Sequence, residues 1–126
     1  MNEHSSRVAL ITGASSGIGQ ACAAYLHEKG YRVYGTCRHP AELPKTENFK
    51  MIQMDVDDDD SVARGIKRIL DEAGQLDILV NNAGFALAGA IEDTSIEEAK
   101  SQFETNFFGV MRLCHAVLPA MRQQQS

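Results

Sequence analysis

The sequence predicts an α/β fold in which helices cover both faces of a doubly wound parallel sheet. Short apolar runs, the first of which is apolar at every position, alternate with segments whose apolar residues recur every three or four positions. Continuous apolar runs are typical of strands buried on both faces, as in parallel sheets. A glycine-rich turn directly after the first run indicates a strand that leads into a helix. The order β-α-β-loop-β-α-β-α predicts about four strands, arranged 3-2-1-4, with a ligand crevice at their carboxyl ends.

The amino-terminal half contains three predicted strands and one helix. The first strand is the run Val-Ala-Leu-Ile at 8–11. The first helix follows at 18–30 and ends at a glycine, which favours a left-handed helix end. The second and third strands are expected at 31–37 and 49–54, on either side of a segment broken by two prolines. The predicted buried stripe of the helix consists of Ile18, Cys22, Tyr25 and Leu26.

The carboxyl-terminal half contains two longer helices and the fourth strand. A helical stripe covers 57–74, and the run at 76–80, apolar except for Asp77, is the fourth strand. The last helix begins at Ser95, which forms a capping-box pattern with Glu98. Pro119 is expected to end or kink this helix. Its predicted buried stripe consists of Ile96, Ala99, Phe103, Phe107, Val110, Cys114, Val117 and Met121.

Composition and charge argue against several classes of function. The 17 Asp and Glu residues outnumber the 12 Lys and Arg residues, and no basic cluster favours nucleic acid binding. No apolar run reaches the ~18 residues that a membrane span requires. Residues 1–6 are expected to be a disordered tail before a domain at 7–126, and they lack the layout of a signal peptide.

Cysteine, histidine and aspartate residues are not spaced as metal ligands. Three cysteines without a C-x-x-C spacing favour reduced thiols in a cytoplasmic protein over a redox or metal role. The four histidines are scattered, so no zinc site is expected. The run of four aspartates at 57–60 is expected to cap the following helix rather than to hold a metal.

The turn after the first strand reads Thr12-Gly13-Ala14-Ser15-Ser16-Gly17-Ile18-Gly19. Glycines allow the backbone to turn sharply and allow a pyrophosphate to approach it closely. The amino terminus of the following helix offers an anion free N–H groups and the positive end of a dipole. The turn therefore predicts a phosphate-binding loop. The alternative is a tight strand-to-helix turn without a ligand.

Four motifs in chain order resemble the short-chain dehydrogenase/reductase family of the classical type, over about residues 7–122. They are the spacing G-x-x-x-G-x-G after Thr12, Asp55-Val56 after the third strand, Asn81-Asn82-Ala83-Gly84 after the fourth, and Asn106-x-x-Gly109 on the last helix. The resemblance implies a Rossmann-type fold that binds a nicotinamide dinucleotide. It also implies hydride transfer between that cofactor and a small carbonyl or alcohol substrate.

The resemblance assigns roles to particular residues. It implies that Asp55 contacts adenine and that Asn106 is catalytic, holding a water in a proton relay. Other interpretations stay open: Asp55 as a polar strand end, Asn81 and Asn82 as turn formers, and Asn106 as a structural lock on the apolar side of its helix. The candidate cofactor-binding residues are Gly13, Ser15, Ser16, Gly17, Ile18, Gly19, Arg38, Asp55, Val56, Asn82, Ala83 and Gly84.

The end of the second strand favours NADP(H) over NAD(H). An acidic residue at this point would bond the adenosine ribose hydroxyls and repel a 2′-phosphate. The sequence instead has Cys37-Arg38-His39, and the Arg38 guanidinium can pair a phosphate through charge-assisted hydrogen bonds. The alternative is a solvated surface arginine.

The resemblance also implies catalytic residues that this sequence lacks. The family uses a serine and a Tyr-x-x-x-Lys pair, which normally follow a fifth strand. A literal match, Tyr25 to Lys29, lies in the first helix, where Tyr25 is expected to pack. The chain stops where the fifth strand is expected. This predicts a truncated, cofactor-binding part of a reductase that is inactive alone.

The missing strand has consequences for assembly and for the alternatives. An open edge at the fourth strand, together with the phenylalanines of the last helix, predicts a homo-oligomer. A non-catalytic NADP(H)-binding module or subunit is the first alternative. A flavodoxin-like signalling domain is the second, although the motif at 81–84 has no role there.

Overall fold

In the part of the chain that the structure describes, four parallel strands form a sheet in the order β3-β2-β1-β4. The structure is a computed structural model that describes residues 7–15, 17–39, 49–84 and 94–124. The strands are β1 (Val8–Ile11), β2 (Arg32–Cys37), β3 (Lys50–Gln53) and β4 (Ile78–Val80). The predicted fold class and strand order are confirmed. The predicted tail at 1–6 and Ser16 lie outside the described residues.

The flanking helices are α1 (Gly17–Glu28), α2 (Asp59–Ala73), α3 (Ile96–Phe103) and α4 (Gly109–Gln124). A π-helical turn at Glu104–Phe108, here called the π-turn, separates α3 from α4, where the sequence predicted one continuous helix. Ser95 caps α3 as predicted, because its Oγ accepts a hydrogen bond from the Glu98 N–H at 3.0 Å. Pro119 lies inside α4 and does not end it. Both Pro119 and His115 are exposed, so water can solvate the carbonyl that the proline leaves without a partner.

The ends of α2 are fixed by capping residues. The Asp58 carboxylate accepts hydrogen bonds from the backbone N–H groups of Asp60 at 2.9 Å and Ser61 at 3.3 Å. Gly74 ends the helix in the left-handed conformation, and its N–H donates to the Leu70 carbonyl at 2.8 Å. The predicted capping role of the aspartate run is therefore confirmed.

Side chains of β1 point alternately into two cores, one on each face of the sheet. Val8 and Leu10 join the core beneath α2 and α4, while Ala9 and Ile11 join the core beneath α1. All four are at most 1% exposed, because helices cover both faces of β1. The residues of β4 are only half-buried, since β4 is an edge of the described sheet. β1 is thus the buried centre from which the carboxyl edge of the sheet is positioned.

Helix α1 packs through only part of the predicted stripe. Ile18 is 83% exposed and Tyr25 is 58% exposed, whereas Gly19 and Ala23 are buried. The start of the helix lies directly against the turn after β1, so only small residues such as Gly19 fit between the helix and the turn. Tyr25 lies at the surface instead of in the core, with the Lys29 ammonium 5.4 Å from its ring centroid in a cation–π arrangement. Two residues of the predicted stripe do pack against the core: Cys22 and Leu26.

The stripe predicted for the last helix is wrong in its first half, and in its second half Val117 is buried and Met121 packs against the core as predicted. Ile96, Phe103 and Phe107 are exposed, and α3 contributes no buried residue. The extra residue in a π-helical turn rotates the following helix by about 100°, so the regular helical phase is lost at this point. The buried residues of the π-turn and α4 are Thr105, Gly109, Leu113 and Val117.

Three further observations concern the described residues as a whole. None of their helices is both long enough and apolar enough to cross a membrane. Among the same residues, no group of three His, Cys, Asp or Glu side chains is arranged to hold a metal ion. The structure describes all three cysteines, none of which forms a disulfide, and Cys37 is buried.

Candidate functional site

A cleft of about 320 Å³ opens at the carboxyl ends of the strands. This is the position at which open α/β sheets bind ligands. It is bounded by the turn after β1, the end of β2, the segment after β3, the segment after β4 and the π-turn. The lining residues are Gly13, Ser15, Thr36, Cys37, Arg38, His39, Met54, Val56, Ala83, Gly84 and Thr105.

One end of the cleft, here called the loop end, consists of the turn after β1 and the segment 82–84. The Oγ1 of Thr12 accepts hydrogen bonds from the N–H groups of Asn82 and Ala83, both at 2.9 Å. The side-chain amide of Asn82 donates to the Gly13 carbonyl at 3.0 Å. Thr12 is 1% exposed, so these bonds are shielded from water. They fix the turn after β1 to the end of β4.

Glycine is required at the loop end for two separate reasons. Gly13 (φ +66°) and Gly17 (φ +59°) adopt the left-handed conformation, which disfavours residues with a Cβ. Gly19 is required by close approach, since a Cβ there would lie 2.2 Å from the Gly13 carbonyl oxygen and 2.4 Å from Asn82 Nδ2. The amino terminus of α1 is therefore held directly against the turn. Its first turn carries no acidic residue, so its positive dipole end is not neutralised.

The other end of the cleft, here called the arginine end, consists of Arg38, Asp55 and Asp57. The Thr36 carbonyl at the end of β2 accepts a hydrogen bond from the Ala14 N–H at 2.8 Å, which joins β2 to the turn after β1. The Arg38 side chain is 50% exposed. Its Nε lies 3.9 Å from Asp55 Oδ1, and its Nη2 lies 3.9 Å from Asp57 Oδ2. Arg38 is thus not a solitary surface cation, because it has a carboxylate on each of two sides.

The segment after β3 is joined to the π-turn. The hydroxyl of Thr105 donates to the Asp57 carboxylate, with its Oγ1 at 2.8 and 2.9 Å from the two oxygens. Asp55 Oδ1 accepts a hydrogen bond from the Asp57 N–H at 3.0 Å. The Asp55 N–H donates to Ser61 Oγ at 2.8 Å. Both acidic residues of the arginine end therefore have fixed positions.

Arg112 of α4 strengthens the same connection. Its Nε donates to Asp59 Oδ1 at 2.6 Å, and its Nη1 donates to the Val56 carbonyl at 3.1 Å. Its Nη2 pairs with Glu104 of the π-turn, and this hydrogen bond raises the pKa of the Arg112 guanidinium. One side chain therefore links the start of α2, the end of β3 and the π-turn.

Asn106 lies in the π-turn beside the segment after β4. A Cβ added to Gly84 would lie 2.4 Å from Asn106 Oδ1, which places the asparagine side chain directly against that glycine. Asn106 is exposed, so the expectation that it is buried on the apolar side of its helix is wrong. The π-turn accounts for this difference, because it alters the helical phase at that residue. π-helical turns occur frequently at functional sites.

The structure brings most of the predicted site residues to this edge of the sheet, and their roles stay predictions. Asp55, Asn82 and Asn106 lie beside the lining, in the contacts described above. Ile18 points to solvent at the start of α1, and Ser16 lies outside the described residues. The predicted residues that line the cleft are Gly13, Ser15, Arg38, Val56, Ala83 and Gly84.

Sequence reasoning assigned no role to six residues that line or fix the cleft. They are Thr12, Thr36, Cys37, His39, Met54 and Thr105. Five of these stand at or just after the carboxyl end of a strand, so the topological rule for open sheets could have identified them. Thr105 lies in the π-turn, away from the strand ends, and the sequence contains no comparable signal for it.

Comparison with known proteins gives consistent matches over nearly the whole chain. A family model described as short chain dehydrogenase matches residues 7–126. The 3-ketodihydrosphingosine reductase of Bacteroides thetaiotaomicron is 45% identical over 117 residues, covering 93% of this chain and 43% of the relative. Retinol dehydrogenase 8 of Homo sapiens is 40% identical over 134 residues, covering 94% of this chain and 41% of the relative. The chain spans less than half the length of these curated relatives.

Solved structures match the fold closely. A short-chain dehydrogenase from Streptomyces avermitilis is similar with a TM-score of 0.89 and 38% identity, covering 95% of this chain and 46% of that chain. A metagenomic short-chain oxidoreductase in complex with NADP is similar with a TM-score of 0.87 and 30% identity, covering 95% of this chain and 58% of that chain. Both similarities extend over the strands and helices that build the cleft.

Proposed function

The chain belongs to the short-chain dehydrogenase family, and we propose that its cleft binds a nicotinamide dinucleotide, with NADP(H) preferred over NAD(H). Members of this family are oxidoreductases that use nicotinamide dinucleotides. The observation that carries the proposal is that one cleft joins the glycine turn before α1 to the guanidinium of Arg38. A dinucleotide needs a backbone cradle for its pyrophosphate and polar groups around its adenosine ribose.

The residues of the cleft fit this cofactor in charge and shape. In the described part of the chain, the residues that line the cleft include no Asp or Glu, and the nearest carboxylates, Asp55 and Asp57, lie beside Arg38 at the arginine end. A Cβ placed on Gly17 would meet no atom within 4 Å, so the backbone there is open to a ligand. Met54 and Val56 give the cleft an apolar wall that suits an adenine ring.

Each part of the cleft has a proposed task. The free N–H groups in the first turn of α1 hold the pyrophosphate. Asn82 keeps the turn in place through its hydrogen bond to the Gly13 carbonyl. Arg38 pairs the 2′-phosphate that distinguishes NADP(H) from NAD(H). By the family resemblance, Asn106 holds a water in a proton relay, and Asp55 and Val56 contact the adenine.

The proposed reaction of the whole protein is reversible hydride transfer between NADP(H) and a small carbonyl or alcohol compound. When bound, the nicotinamide supplies or accepts the hydride. The curated relatives include a reductase and a dehydrogenase, and the chain spans less than half the length of either. We propose that these 126 residues alone do not catalyse, because the Tyr-x-x-x-Lys that they contain, Tyr25 to Lys29, lies on the exposed side of α1.

A non-catalytic NADP(H)-binding module or subunit is the second candidate function, because Tyr25 and Lys29, which form a Tyr-x-x-x-Lys within these 126 residues, lie on the exposed side of α1. Sequencing the transcript separates the two candidates. A reading frame that continues into a serine and a Tyr-x-x-x-Lys favours the oxidoreductase. A mature protein of 126 residues that binds NADPH without reducing carbonyl compounds favours the module.

The proposed function is tested by calorimetric titration of the chain with NADPH and, separately, with NADH. We expect NADPH to bind more tightly, and we expect Arg38→Gln to weaken NADPH binding about tenfold while leaving NADH binding unchanged. Arg64→Gln is the matched control, since it removes the same charge from an exposed position on α2. Failure to bind either dinucleotide would overturn the proposal.

Assembly and location complete the proposal. We propose a homo-oligomer, because Phe103, Phe107, Phe108 and Met111 leave apolar surface exposed on and next to the π-turn. Light scattering at increasing concentration checks this, and a monomeric mass throughout would contradict it. The cytoplasmic location stays a prediction from the cysteine pattern.

A further inference from the structure

The arginine end of the cleft combines one cation with two anions. The guanidinium of Arg38 lies 3.9 Å from a carboxylate oxygen of Asp55 and 3.9 Å from one of Asp57. Both distances are longer than a charge-assisted hydrogen bond, so neither carboxylate occupies the guanidinium fully. The donors of Arg38 therefore remain usable by a ligand. Any anion that approaches them also comes close to two negative charges.

Of the two carboxylates beside Arg38, that of Asp57 has the more firmly fixed position. Both of its oxygens lie within 2.9 Å of the Thr105 hydroxyl, and its N–H donates to Asp55. Thr105 is 3% exposed and lies in the π-turn, which Arg112 in turn attaches to α2. The Asp57 side chain, 26% exposed, consequently cannot swing away from Arg38 without breaking a hydrogen bond.

We propose that Asp57 is a specificity-determining residue, which limits how strongly the cleft prefers a 2′-phosphorylated adenosine. The inference rests on the proposed binding of a nicotinamide dinucleotide. The 2′-phosphate would gain the guanidinium of Arg38 and would be repelled by the fixed carboxylate beside it. A ribose with two free hydroxyls carries no charge at this point, so the same carboxylate does not repel it. Asp57 thus narrows the difference in affinity between NADP(H) and NAD(H).

The test is Asp57→Asn, which removes the charge and keeps an oxygen that can accept the Thr105 hydroxyl. We expect NADPH to bind roughly five- to tenfold more tightly and NADH to change by less than about twofold. Adenosine 2′,5′-bisphosphate and adenosine 5′-monophosphate should show the same contrast, because they probe the adenosine end alone. The gain should shrink as salt is added, since the charges are partly exposed.

The matched control is Asp71→Asn. This change removes one exposed carboxylate from α2, twelve residues or about 18 Å along the helix from Asp59, which is beyond the ~10 Å screening length. We expect no change in the preference between the two dinucleotides. Thermal melting by circular dichroism monitors folding, and Asp57→Ser replaces Asp57→Asn if the asparagine variant is unfolded.

The outcomes separate this inference from the proposed function. A selective gain for NADPH in Asp57→Asn and not in Asp71→Asn supports it. If the wild-type chain binds dinucleotides and Asp57→Asn leaves their affinity ratio unchanged, or tightens both equally, this inference alone is overturned. If the wild-type chain binds neither dinucleotide, the proposed function and this inference fall together.

Discussion

The two ends of the cleft are built from different interactions. The loop end consists of backbone groups held by the buried Thr12 and the half-buried Asn82, which are bonded to the main chain at 2.9 to 3.0 Å. The arginine end consists of charged side chains 3.9 Å apart and partly exposed. Buried hydrogen bonds are costly to break, whereas exposed ion pairs contribute little to stability.

This contrast predicts different consequences of mutation. A change at the loop end should alter folding and remove binding of any dinucleotide, because the backbone cradle itself is displaced. A change at the arginine end should leave folding nearly unaffected and shift the choice between cofactors. The first end determines whether a dinucleotide binds, and the second determines which one.

Gly19→Ala should have the largest effect. The added Cβ would lie 2.2 Å from the Gly13 carbonyl oxygen, a backbone atom that Asn82 also holds. To relieve this overlap the turn must move, which should lower the free energy of unfolding by about 3 kcal/mol. Because the displaced turn no longer fits the pyrophosphate, dinucleotide affinity should fall roughly 100-fold. Calorimetric titration with NADPH measures the affinity, and chemical denaturation measures the free energy of unfolding.

Gly65→Ala is the matched control for that prediction. Its Cβ would also lie 2.2 Å from another atom, but that atom is Cε at the flexible end of Met54. The end of the methionine can shift without displacing the turn, and it disturbs only the apolar wall of the cleft, so affinity should fall by less than about threefold. Equal losses in the two variants would show that general crowding, rather than displacement of the turn, weakens binding.

Thr12→Val should have the next largest effect. Valine has nearly the same shape as threonine but cannot accept the hydrogen bonds of the Asn82 and Ala83 N–H groups. We expect a loss of about 2–3 kcal/mol in the free energy of unfolding, measured by urea denaturation. Thr12→Ser keeps the hydroxyl and should retain most of that stability. If valine is tolerated as well as serine, the loop end is not held by this hydroxyl.

The smallest effect of mutation is expected at Glu72, whose partner Lys50 is the first residue of β3, at the end of the strand away from the cleft. Its carboxylate accepts hydrogen bonds from Lys50, Arg68 and Tyr34, at 2.9, 3.0 and 3.1 Å. The bond from Lys50 is the main cause that lowers the pKa of Glu72 from 4.5 to about 2, and the bond from Arg68 follows. As pH falls below 4.5, the unfolded chain takes up the proton first, so the contribution of Glu72 is complete above pH 4.5 and is lost as pH falls towards 2.

Glu72→Gln tests this pH dependence. The variant should lose stability only modestly at neutral pH, because the ion pairs are exposed, and its stability should depend less on pH between 4.5 and 2. Urea denaturation at a series of pH values measures both quantities. If the free energy of unfolding falls with pH equally in the variant and the wild type, the low pKa of Glu72 does not contribute to acid sensitivity.

The features that the sequence predicted are those that depend on local pattern and topology. The run at Val8–Ile11 is apolar at every position because both faces of β1 are covered, and the glycines of the turn follow it directly. The strand order follows from the doubly wound topology, which places the first strand centrally, and the position of the cleft follows from the strand order. The carboxyl edge of the sheet was therefore foreseeable from the sequence.

The features that the sequence did not predict depend on tertiary contacts. A Cβ on Gly109 would lie 3.0 Å from Val56 Cγ2, so α4 approaches the segment after β3 closely just beyond the π-turn. The pairing of Arg38 with Asp55 and Asp57 brings together the ends of β2 and β3, which are separated in sequence. Neither contact leaves a periodic or local pattern in the amino-acid sequence from which it could be predicted.

The central claim, that the carboxyl edge of the sheet binds a dinucleotide through two unlike ends, is tested most directly by NMR titration of the labelled chain with NADPH and NADH. We predict that both ligands shift the backbone amide signals of Gly13, Gly17, Gly19 and Ala83. NADPH alone should strongly shift the signals around Arg38. Amide shifts confined to the surface between α2 and α4, or no shifts with either dinucleotide, would contradict the account.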